Sequence, residues 1–247
     1  MWTIAEPGRA SLSLVDRFDI SIVEAFNSLA GRSHAFDRLV VMLESNSLLK
    51  TGLIVGLLWF FWFSSRNQPE NRRRIIRTLV AACIAIAVAR VGQRLLPPRL
   101  RPIFDPSLSL TTAWDFDPSG HAEWSSFPSD HAVMLCALAA GLWTVSRRWG
   151  AVAFAWVLGF VFPVRLILGL HYPSDVLAGG LVGVVIVWLV SKERLVVPKI
   201  VDRAMRLEAH QAALFYAGIF LLTWQVADFF GDCRYMAHAL GAIALGH

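Results

Sequence analysis

The sequence predicts an all-α fold, a polytopic membrane helical bundle of about six transmembrane helices that follows an N-terminal amphipathic helical hairpin. Hydrophobic residues make up 56% of the chain and charged residues only 17%, and the mean hydropathy is +0.54. An ordinary soluble domain does not have this composition. Six apolar stretches approach the ~20 residues that a helix needs to cross a bilayer. They are residues 47–64, 75–93, 132–146, 150–169, 175–191 and 212–230.

The basic residues indicate how these helices are threaded through the membrane. The formal net charge is +5, but the basic side chains collect in short connections between the apolar stretches, which argues against nucleic-acid binding. By the positive-inside rule, the first, third and fifth connections lie in the cytoplasm, and the second and fourth face the other side. The residues concerned are Arg66, Arg72, Arg73, Arg74 and Arg77, then Arg147 and Arg148, then Lys192, Arg194, Lys199, Arg203 and Arg206.

Residues 1–46 are interpreted as an N-terminal interfacial amphipathic segment. Two short helical patterns each place apolar residues on one face, and neither is long enough to span a bilayer. A hairpin lying in the membrane interface and a hairpin packed only against the bundle both fit this pattern. The sequence leaves both open. The two apolar faces are Ile22, Val23, Phe26, Leu29 and Ala30, and Phe36, Leu39, Val40 and Leu43.

The membrane core is assigned to residues 47–191, and residues 192–247 are expected to add a basic cytoplasmic link, a last transmembrane helix and a tail. In the fifth apolar stretch, Gly179, Gly180 and Gly183 are spaced to let two helices approach closely. These glycines are therefore interpreted as packing residues.

Three polar clusters lie in the second and fourth connections or at the helix ends beside them. They cover residues 94–102, 127–131 and 165–175. Arg165 lies within an apolar stretch, where an unpaired charge is costly, so we expect it to face an anion or a carboxylate. His171 and Asp175 are four residues apart, and a proline and a serine between them are suited to start the next helix. The carboxylate then lies in the first helical turn, within reach of the imidazole.

Two histidines compete for the middle position of the site, because His121 and His131 each end a Pro-Ser-x-His run. Apolar residues 132–145 follow His131, so a spanning helix would start at Ser129 and direct its free N–H groups and its positive end at the site. No such helix is predicted after His121. We therefore assign the site to His131 and interpret His121 as a loop histidine, whose substitution by alanine should leave most activity.

The three clusters resemble the three signature motifs of the type 2 phosphatidic acid phosphatase superfamily, whose pattern is Lys-x6-Arg-Pro, Pro-Ser-Gly-His and Ser-Arg-x5-His-x3-Asp. The matching histidines and carboxylate are His131, His171 and Asp175, and the departures are Arg94 for the lysine, Asp130 for the glycine and Val164 for the serine. The Phe-Pro-Ser-Asp-His form is most similar to the bacterial branch that includes the undecaprenyl pyrophosphate phosphatases of the bacitracin-resistance type. Three motifs in order are a far stronger signal than one alone.

The resemblance implies a catalytic role for three residues, and the chemistry of the side chains suggests the same roles. His171 would attack phosphorus and form a phosphohistidine. Asp175 would hold the other ring nitrogen of His171 in the right tautomer. His131 would protonate the leaving oxygen and then activate water.

The resemblance also implies a set of phosphate-binding residues. Guanidinium groups form strong charge-assisted bonds to phosphoryl oxygens, and a serine at a helix N-terminus adds further donors. The set is Arg94, Arg101, Arg165, Ser129 and Asp130. Neither a metal nor another cofactor is implied.

Other interpretations of these residues stay open. Two histidines and a carboxylate are common metal ligands, although three nearby arginines would repel a cation. Related folds bind vanadate in soluble haloperoxidases, and a membrane chain without an aqueous domain argues against that function. A lipid carrier or transporter would carry polar residues near the middle of the membrane, whereas the clusters here lie at helix ends on one side.

The expected protein is therefore a lipid phosphatase of a bacterial inner membrane, with residues 47–191 as its catalytic core and its site on the periplasmic or exterior face. The expected substrate is a polyprenyl pyrophosphate or a related lipid phosphate. Phosphatidic acid and phosphatidylglycerol phosphate are alternative substrates. The expected partners are the lipid substrate and the bilayer, without nucleic acid, and the sequence does not specify an oligomeric state.

Overall fold

The computed structural model of the chain describes residues 13–64, 67–122, 124–192, 197–233 and 236. Within these ranges the chain forms ten α-helices and no strand, which confirms the predicted all-α class. The helices are α1 (Leu14–Asn27), α2 (His34–Ser45), α3 (Leu53–Phe63), α4 (Gln68–Leu95), α5 (Asp130–Val145), α6 (Arg147–Trp156), α7 (Phe162–Ile167), α8 (Pro173–Ser191), α9 (Val197–His210) and α10 (Ala212–Ala227).

Each of the six predicted apolar stretches coincides with helical structure. Among the described residues, three uninterrupted helical segments are long and apolar enough to cross a membrane, namely α4, α6 to α7, and α8. A fourth candidate is the pair formed by α2 and the helix of residues 48–63, which is bent by 66°. Helices α5 and α10 are apolar but shorter. The predicted membrane helical bundle is confirmed.

Two of the predicted stretches contain a π turn. Leu48–Gly52 precedes α3, and Val157–Val161 joins α6 to α7. Pro163 lies in the first turn of α7, and because proline has no backbone N–H it cannot continue the regular hydrogen-bond ladder. The predicted span at residues 150–169 is therefore one path built from two helices.

Helix α5 forms the centre of the bundle, where α4, α6 and α8 pack around it. Its residues from Ala132 to Ala139 are almost completely buried. A Cβ atom on Gly183 would lie 2.2 Å from the carbonyl oxygen of Val133, and one on Gly179 would lie 2.6 Å from that of Ser129. The predicted packing role of these glycines is confirmed, and the close approach brings the N-terminal ends of α5 and α8 together.

The N-terminal hairpin packs against the bundle, with α1 in contact with α7 and α8 and α2 in contact with α7. Its inward faces carry polar side chains among the apolar ones, since Asp19, Asn27, Asp37 and Glu44 are all buried. Large apolar residues such as Phe18 point outward and are exposed. The hairpin therefore places buried carboxylates at the end of the bundle where α7 and α8 meet.

The predicted basic link in the C-terminal region contains a helix. Residues 197–210 form helix α9, with Val197 and Val201 buried against the core. The apolar residues Val197, Ile200, Val201, Ala204 and Met205 follow the spacing of an amphipathic helix, a pattern that is easily missed because many charged residues lie between them. Arg66, Arg194 and most of the tail after residue 233 lie outside the described residues.

Candidate active site

His171 lies in the turn between α7 and α8 and is fully buried. Its Nε2 atom is 3.2 Å from Nη1 of Arg101 and 3.1 Å from Nη2 of Arg165, and its Nδ1 atom is 2.9 Å from the carbonyl oxygen of Ser126. Arginine can only donate and a carbonyl oxygen can only accept. The proton therefore lies on Nδ1, and Nε2 presents its lone pair to the two guanidinium groups.

Asp175 lies in the first turn of α8 and is also fully buried. Its Oδ2 atom is 3.8 Å from Nδ1 of His171, too far for a hydrogen bond. That oxygen accepts instead from the hydroxyl of Ser126 and from the backbone N–H of Tyr172, the latter at 2.8 Å. Ser126 thus lies between the two predicted partners, and its carbonyl oxygen directly accepts the proton on Nδ1.

The two arginines that face His171 are held by other protein groups. Arg101 donates through Nε to the carbonyl oxygen of His121 at 3.0 Å and through Nη1 to that of Leu170 at 2.9 Å. Arg165 donates through Nη1 to Glu44 of α2. Its Nε is buried without a hydrogen-bond partner among the described residues. A donor is therefore available beside His171 for an incoming anion.

Burial and the surrounding charges shift two ionisation equilibria at this point. Burial, together with the charges of Arg165 and Arg101 and against the opposing effect of Asp175, lowers the pKa of His171 to about 4. Burial and the charge of Arg165 lower the pKa of Arg101 to about 10. At neutral pH the imidazole of His171 is therefore neutral, while the guanidinium group of Arg101 remains charged.

His131 lies in the first turn of α5 and has a different environment. Its Nδ1 is 2.9 Å from Oδ1 of Asp130, and its ring stacks on Phe229 with centroids 4.0 Å apart. The second oxygen of Asp130 accepts from Nη2 of Arg90 at 2.6 Å. Asp130, which we assigned to phosphate binding, thus binds His131 and Arg90 here, so His131 keeps Nε2 for proton transfer.

Ser129 is the N-cap residue of α5, as expected, and is fully buried. Its hydroxyl accepts from the backbone N–H of Ala132 at 3.4 Å, and its own N–H donates to the carbonyl oxygen of Asp175 at 3.2 Å. This contact joins the start of α5 to the start of α8. The cluster of His131 and the cluster of His171 are therefore attached to each other by the backbone.

Arg94 lies apart from Arg101 and Arg165. It is exposed in the last turn of α4, and its side chain has no hydrogen bond or ion pair with another residue in the described ranges. It lines a cavity of about 310 Å³ that also adjoins Phe229, the ring stacked on His131. Other lining residues are Ile86, Ala87, Arg90, Val91, Trp124 and Phe230. This mainly apolar cavity lies against the last turns of α4.

His121 lies much closer to the predicted site than a solvated loop histidine would. It ends a short 3₁₀ turn, Ser119–His121, and its backbone carbonyl oxygen is bound by the arginine that also reaches His171. Its Nδ1 atom is buried without a hydrogen-bond partner among the described residues. The sequence interpretation missed this proximity because no helix follows the motif.

Sequence reasoning also missed Arg99 and Asp19. Arg99 donates to Oδ1 of Asp175 at 2.6 Å and to Oδ2 of Asp19 at 2.7 Å, and its guanidinium carbon lies 4.0 Å from the ring centroid of Tyr172. Burial alone would lower the pKa of Arg99, but the carboxylates of Asp175 and Asp19 raise it. A carboxylate on the buried face of an amphipathic helix was the signal for Asp19.

Glu44 and Lys50 form a second unpredicted group beside Arg165. Nζ of Lys50 is 3.6 Å from Oε1 of Glu44, and both side chains are buried. The same ammonium lies 5.8 Å from the ring centroid of Phe229. Within the described part of the chain, no three His, Cys, Asp or Glu side chains are grouped so that they could hold a metal ion.

The described geometry thus brings Arg101, Arg165, His171 and Asp175 together and attaches Ser129 to them. It places the pair formed by Asp130 and His131 beside the cavity that Arg94 lines. The chemistry available is a neutral, buried imidazole nitrogen that faces two cations, with a second imidazole held by a carboxylate. This set can bind and attack a phosphoryl group.

Comparisons with known proteins identify the family. The family model of the PAP2 superfamily matches residues 94–195. Lipid A 1-diphosphate synthase of Escherichia coli strain K12 is 28% identical over 175 residues, which cover 68% of this chain and 72% of that protein. Undecaprenyl-diphosphatase BcrC of Bacillus subtilis strain 168 is 24% identical over 190 residues, which cover 74% and 90% of the two chains.

The fold comparison agrees with the sequence matches. A crystal structure of LpxE from Aquifex aeolicus has a TM-score of 0.52 at 19% identity and covers 74% of this chain and 97% of that one. The matched range of residues 94–195 contains all three polar clusters, and the predicted family is confirmed. The chain is an integral membrane protein that carries a PAP2 superfamily domain across residues 94–195.

Proposed function

We propose that the protein is a lipid phosphatase that hydrolyses a polyprenyl diphosphate, or a related lipid phosphate, through a phosphohistidine on His171. The observation that carries the proposal is the environment of Nε2 of this residue. The atom is unprotonated and buried, and guanidinium groups of Arg101 and Arg165 donate to it. A phosphoryl group entering here offers these donors oxygen acceptors that carry negative charge, which form stronger bonds than a neutral nitrogen.

In the first step the lone pair of Nε2 forms a bond to phosphorus while the bond between phosphorus and the leaving oxygen breaks. Nδ1 keeps its proton and donates it in a hydrogen bond to the carbonyl oxygen of Ser126, and the positive charge on the ring is stabilised by Asp175 at 3.8 Å. Protonated His131 gives its Nε2 proton to the leaving oxygen. Asp130 stabilises the protonated form of His131.

In the second step the neutral His131 takes a proton from a water molecule, whose oxygen attacks the phosphorus bound to His171. The N–P bond breaks, inorganic phosphate leaves and both histidines return to their starting states. Arg101 and Arg165 stabilise the charge on the equatorial oxygens in each step. These steps consume one water for each phosphate released.

Support for a lipid diphosphate comes from the separation of the cationic residues. In-line displacement requires the leaving group opposite the nucleophile, on the side of His131. The apolar cavity adjoins that side through Phe229 and carries Arg94 on its wall. We propose that Arg94 binds the phosphate that stays on the lipid, while Arg101 and Arg165 bind the phosphate that is transferred.

The proposal includes a position in the cell. We infer a bacterial inner membrane with the site on the periplasmic or exterior face. The distribution of basic residues supports this orientation, and the names of the bacterial relatives support a role in envelope lipids. Cleavage by a protease added outside sealed inner-membrane vesicles of known orientation would report which connections are exposed.

A second candidate function is transfer of the phosphoryl group to a lipid acceptor. The specific observation is the 28% identity to lipid A 1-diphosphate synthase, whose name describes a product with an added phosphate. The same phosphohistidine would then react with the phosphate of an acceptor lipid in place of water. The first half of the reaction is common to both functions.

The test is phosphate release by detergent-purified protein, with chelator present, from undecaprenyl diphosphate, undecaprenyl phosphate, phosphatidic acid and phosphatidylglycerol phosphate. Lipid A 1-phosphate is added in a parallel arm as an acceptor. We expect release from undecaprenyl diphosphate that persists with chelator and is lost in His171→Ala. Formation of lipid A 1-diphosphate in the acceptor arm, in place of inorganic phosphate, would favour transfer. Phosphate release that chelator abolishes would contradict the mechanism.

Arg94→Gln tests the assignment of the two phosphates. Because this change removes a hydrogen bond to a charged group, kcat/KM for the diphosphate should fall about 10-fold or more. The monophosphate, which has no phosphate at Arg94, should change less than about 3-fold. Arg38→Gln, at an exposed ion pair with Asp115, is the matched control. Equal losses on both substrates would contradict the separate roles.

A further inference from the structure

We infer that His121, the histidine of the Pro-Ser-Gly-His run, is a third histidine of the phosphate site, and that its imidazole donates a hydrogen bond to a phosphoryl oxygen of the bound substrate. This inference rests on the proposed function and adds a substrate-binding residue to it. It replaces our sequence interpretation of His121 as a loop histidine whose substitution by alanine should leave most activity.

The first observation is that one guanidinium group joins His121 to the nucleophile. Nε of Arg101 is 3.0 Å from the backbone carbonyl oxygen of His121, and Nη1 of the same side chain is 3.2 Å from Nε2 of His171. Nε and Nη1 belong to one rigid planar group. The backbone of His121 and the attacking nitrogen of His171 therefore lie on adjacent positions around one guanidinium group.

The second observation is an unused polar atom on a half-buried ring. Nδ1 of His121 is inaccessible to solvent and has no hydrogen-bond partner among the residues that the structure describes. A buried polar atom without a partner is destabilising, and native structures rarely retain one without a functional reason. A ligand oxygen supplies the missing partner.

The third observation is that the ring is held in place and is neutral. Phe116 makes an edge contact with it, with centroids 6.2 Å apart, and Phe116 itself packs on the apolar cluster that includes Leu168 and Leu170. Burial and the positive charges of Arg165 and Arg101 lower the pKa of His121 to about 4. A neutral imidazole adds a directional hydrogen-bond donor to the site, and it adds no positive charge that would be repelled by the guanidinium groups of Arg101 and Arg165.

A histidine from a loop motif, His121, and a histidine from a helix motif, His131, then both contact the phosphoryl group of the substrate. His131 is carried by the first turn of α5, and His121 is carried by the connection that also supplies Arg101 and Ser126. The histidines that end the two runs both contact the substrate, His131 for proton transfer and His121 for binding. Their similarity in sequence therefore does not require a choice between them.

The experiment compares His121→Ala, His121→Asn and Ser119→Ala in the full-length, detergent-purified protein. The amide nitrogen of asparagine occupies a position similar to that of Nδ1, so it can replace the donor. Ser119→Ala is the matched control, because it removes hydrogen bonds to Asp117 within the same turn and leaves the imidazole in place. The measurements are kcat and KM on undecaprenyl diphosphate, inhibition by orthovanadate and the thermal unfolding midpoint.

We expect His121→Ala to lower kcat/KM about 10- to 100-fold, the range for a hydrogen bond to a charged group, and to weaken orthovanadate inhibition. His121→Asn should stay within about 3-fold of the unsubstituted protein, and Ser119→Ala should stay within about 2-fold. A His121→Ala protein that retains activity within 2-fold would overturn the inference. An equal loss in Ser119→Ala, or an equal loss in the asparagine variant, would assign His121 a structural role and overturn it as well.

Failure of the proposed function gives a different result. If the unsubstituted protein releases no phosphate from any lipid, its binding of orthovanadate and of inorganic phosphate still tests the inference. This binding is measured as the shift of the thermal unfolding midpoint. Weaker binding in His121→Ala than in His121→Asn supports it. Equal binding by all variants, or no binding by the unsubstituted protein, overturns it.

Discussion

His171 and His131 differ in what holds them. His171 is fully buried, donates a hydrogen bond from Nδ1 to a backbone carbonyl oxygen, and faces two guanidinium groups with Nε2. His131 is partly accessible, and its Nδ1 atom lies beside the carboxylate of Asp130. The carbonyl acceptor of His171 does not favour either charge state, whereas the carboxylate beside Nδ1 of His131 favours the protonated ring, against the burial and nearby cations that favour a neutral ring at both sites. This difference supports the proposed roles of His171 as nucleophile and of His131 as acid and base.

The largest expected effect tests this division of roles. His171→Asn removes the bond-forming atom and should lower kcat by about 10⁴-fold or more on every substrate. His131→Asn should lower kcat about 10²- to 10⁴-fold on a lipid substrate, whose leaving oxygen needs a proton. With p-nitrophenyl phosphate, whose leaving group is stable as an anion, the His131→Asn protein should form the phosphoenzyme at close to the normal rate.

The control for this prediction is the pair of variants assayed on the pair of substrates in single-turnover experiments. Loss of phosphoenzyme formation from p-nitrophenyl phosphate in His131→Asn, with retention in His171→Asn, would reverse the two roles. Equal losses for both variants on both substrates would show that the two histidines act as one unit.

A smaller effect is expected from a substitution that weakens the contacts around His171 and leaves those of His131 unchanged. Asp19→Asn removes a buried carboxylate that binds Arg99 and the backbone N–H of Ser174. Because Arg99 is partly exposed, we expect a loss of about 2 kcal/mol in the free energy of unfolding, below the range for a completely buried pair. Activity should fall about 10-fold, since Arg99 also binds Asp175.

The matched control for Asp19 is Asp115→Asn, which breaks the exposed ion pair with Arg38. That change should alter the free energy of unfolding by less than about 1 kcal/mol. Both values come from denaturant unfolding in mixed micelles. Equal destabilisation by the two variants would show that the contact between α1 and the site is no more important than a surface pair.

The smallest effect concerns pH. The pKa of His171 is lowered to about 4. At pH 5 this side chain is therefore neutral in about 90% of the molecules, whereas a histidine with the ordinary pKa of about 6.5 is neutral in about 3%. Below about pH 6.5 the unfolded chain takes up this proton first. The contribution of His171 to stability is therefore complete above about pH 6.5 and is lost as the pH falls towards 4.

Carbon NMR of protein with labelled histidines measures this midpoint directly, with His171→Asn to assign the signal. A midpoint near 4 is the expected result. A midpoint near 6.5 would show that burial and the two arginines do not hold the ring neutral, and the contrast with His131 would weaken.

Local patterns in the sequence predicted the membrane core well. Long apolar stretches have few ways to bury themselves, so α4, α5 and α8 lie where the sequence placed them. The motif spacing also placed Arg165 in α7, His171 on the turn that follows and Asp175 in the first turn of α8 close to one another, because these residues are close along the chain. The assigned roles of the individual site residues stay predictions until variants are measured.

The remaining contacts could not be predicted because they join distant parts of the chain. Asp19 reaches Ser174 across 155 residues, and Glu44 reaches Arg165 across 121. A proline-rich run separates Arg94 from Arg101. The direction of this run places Arg101 beside His171 and Arg94 at the neighbouring cavity, which the spacing of the motif alone does not show. Ser126 contacts Nδ1 of His171 through its carbonyl oxygen, a group that every residue type possesses, so the residue type did not indicate this contact.

The most direct test of the account is to locate the phosphate on the trapped phosphoenzyme. The protein is mixed with labelled undecaprenyl diphosphate, quenched in alkali after milliseconds, digested and mapped by mass spectrometry with fragmentation that preserves phosphohistidine. Since Nδ1 of His171 carries the proton and Nε2 carries the lone pair, we expect the phosphate on Nε2 of His171. Phosphate on Nδ1, on His131 or His121, or no labelled protein during active turnover would contradict the account.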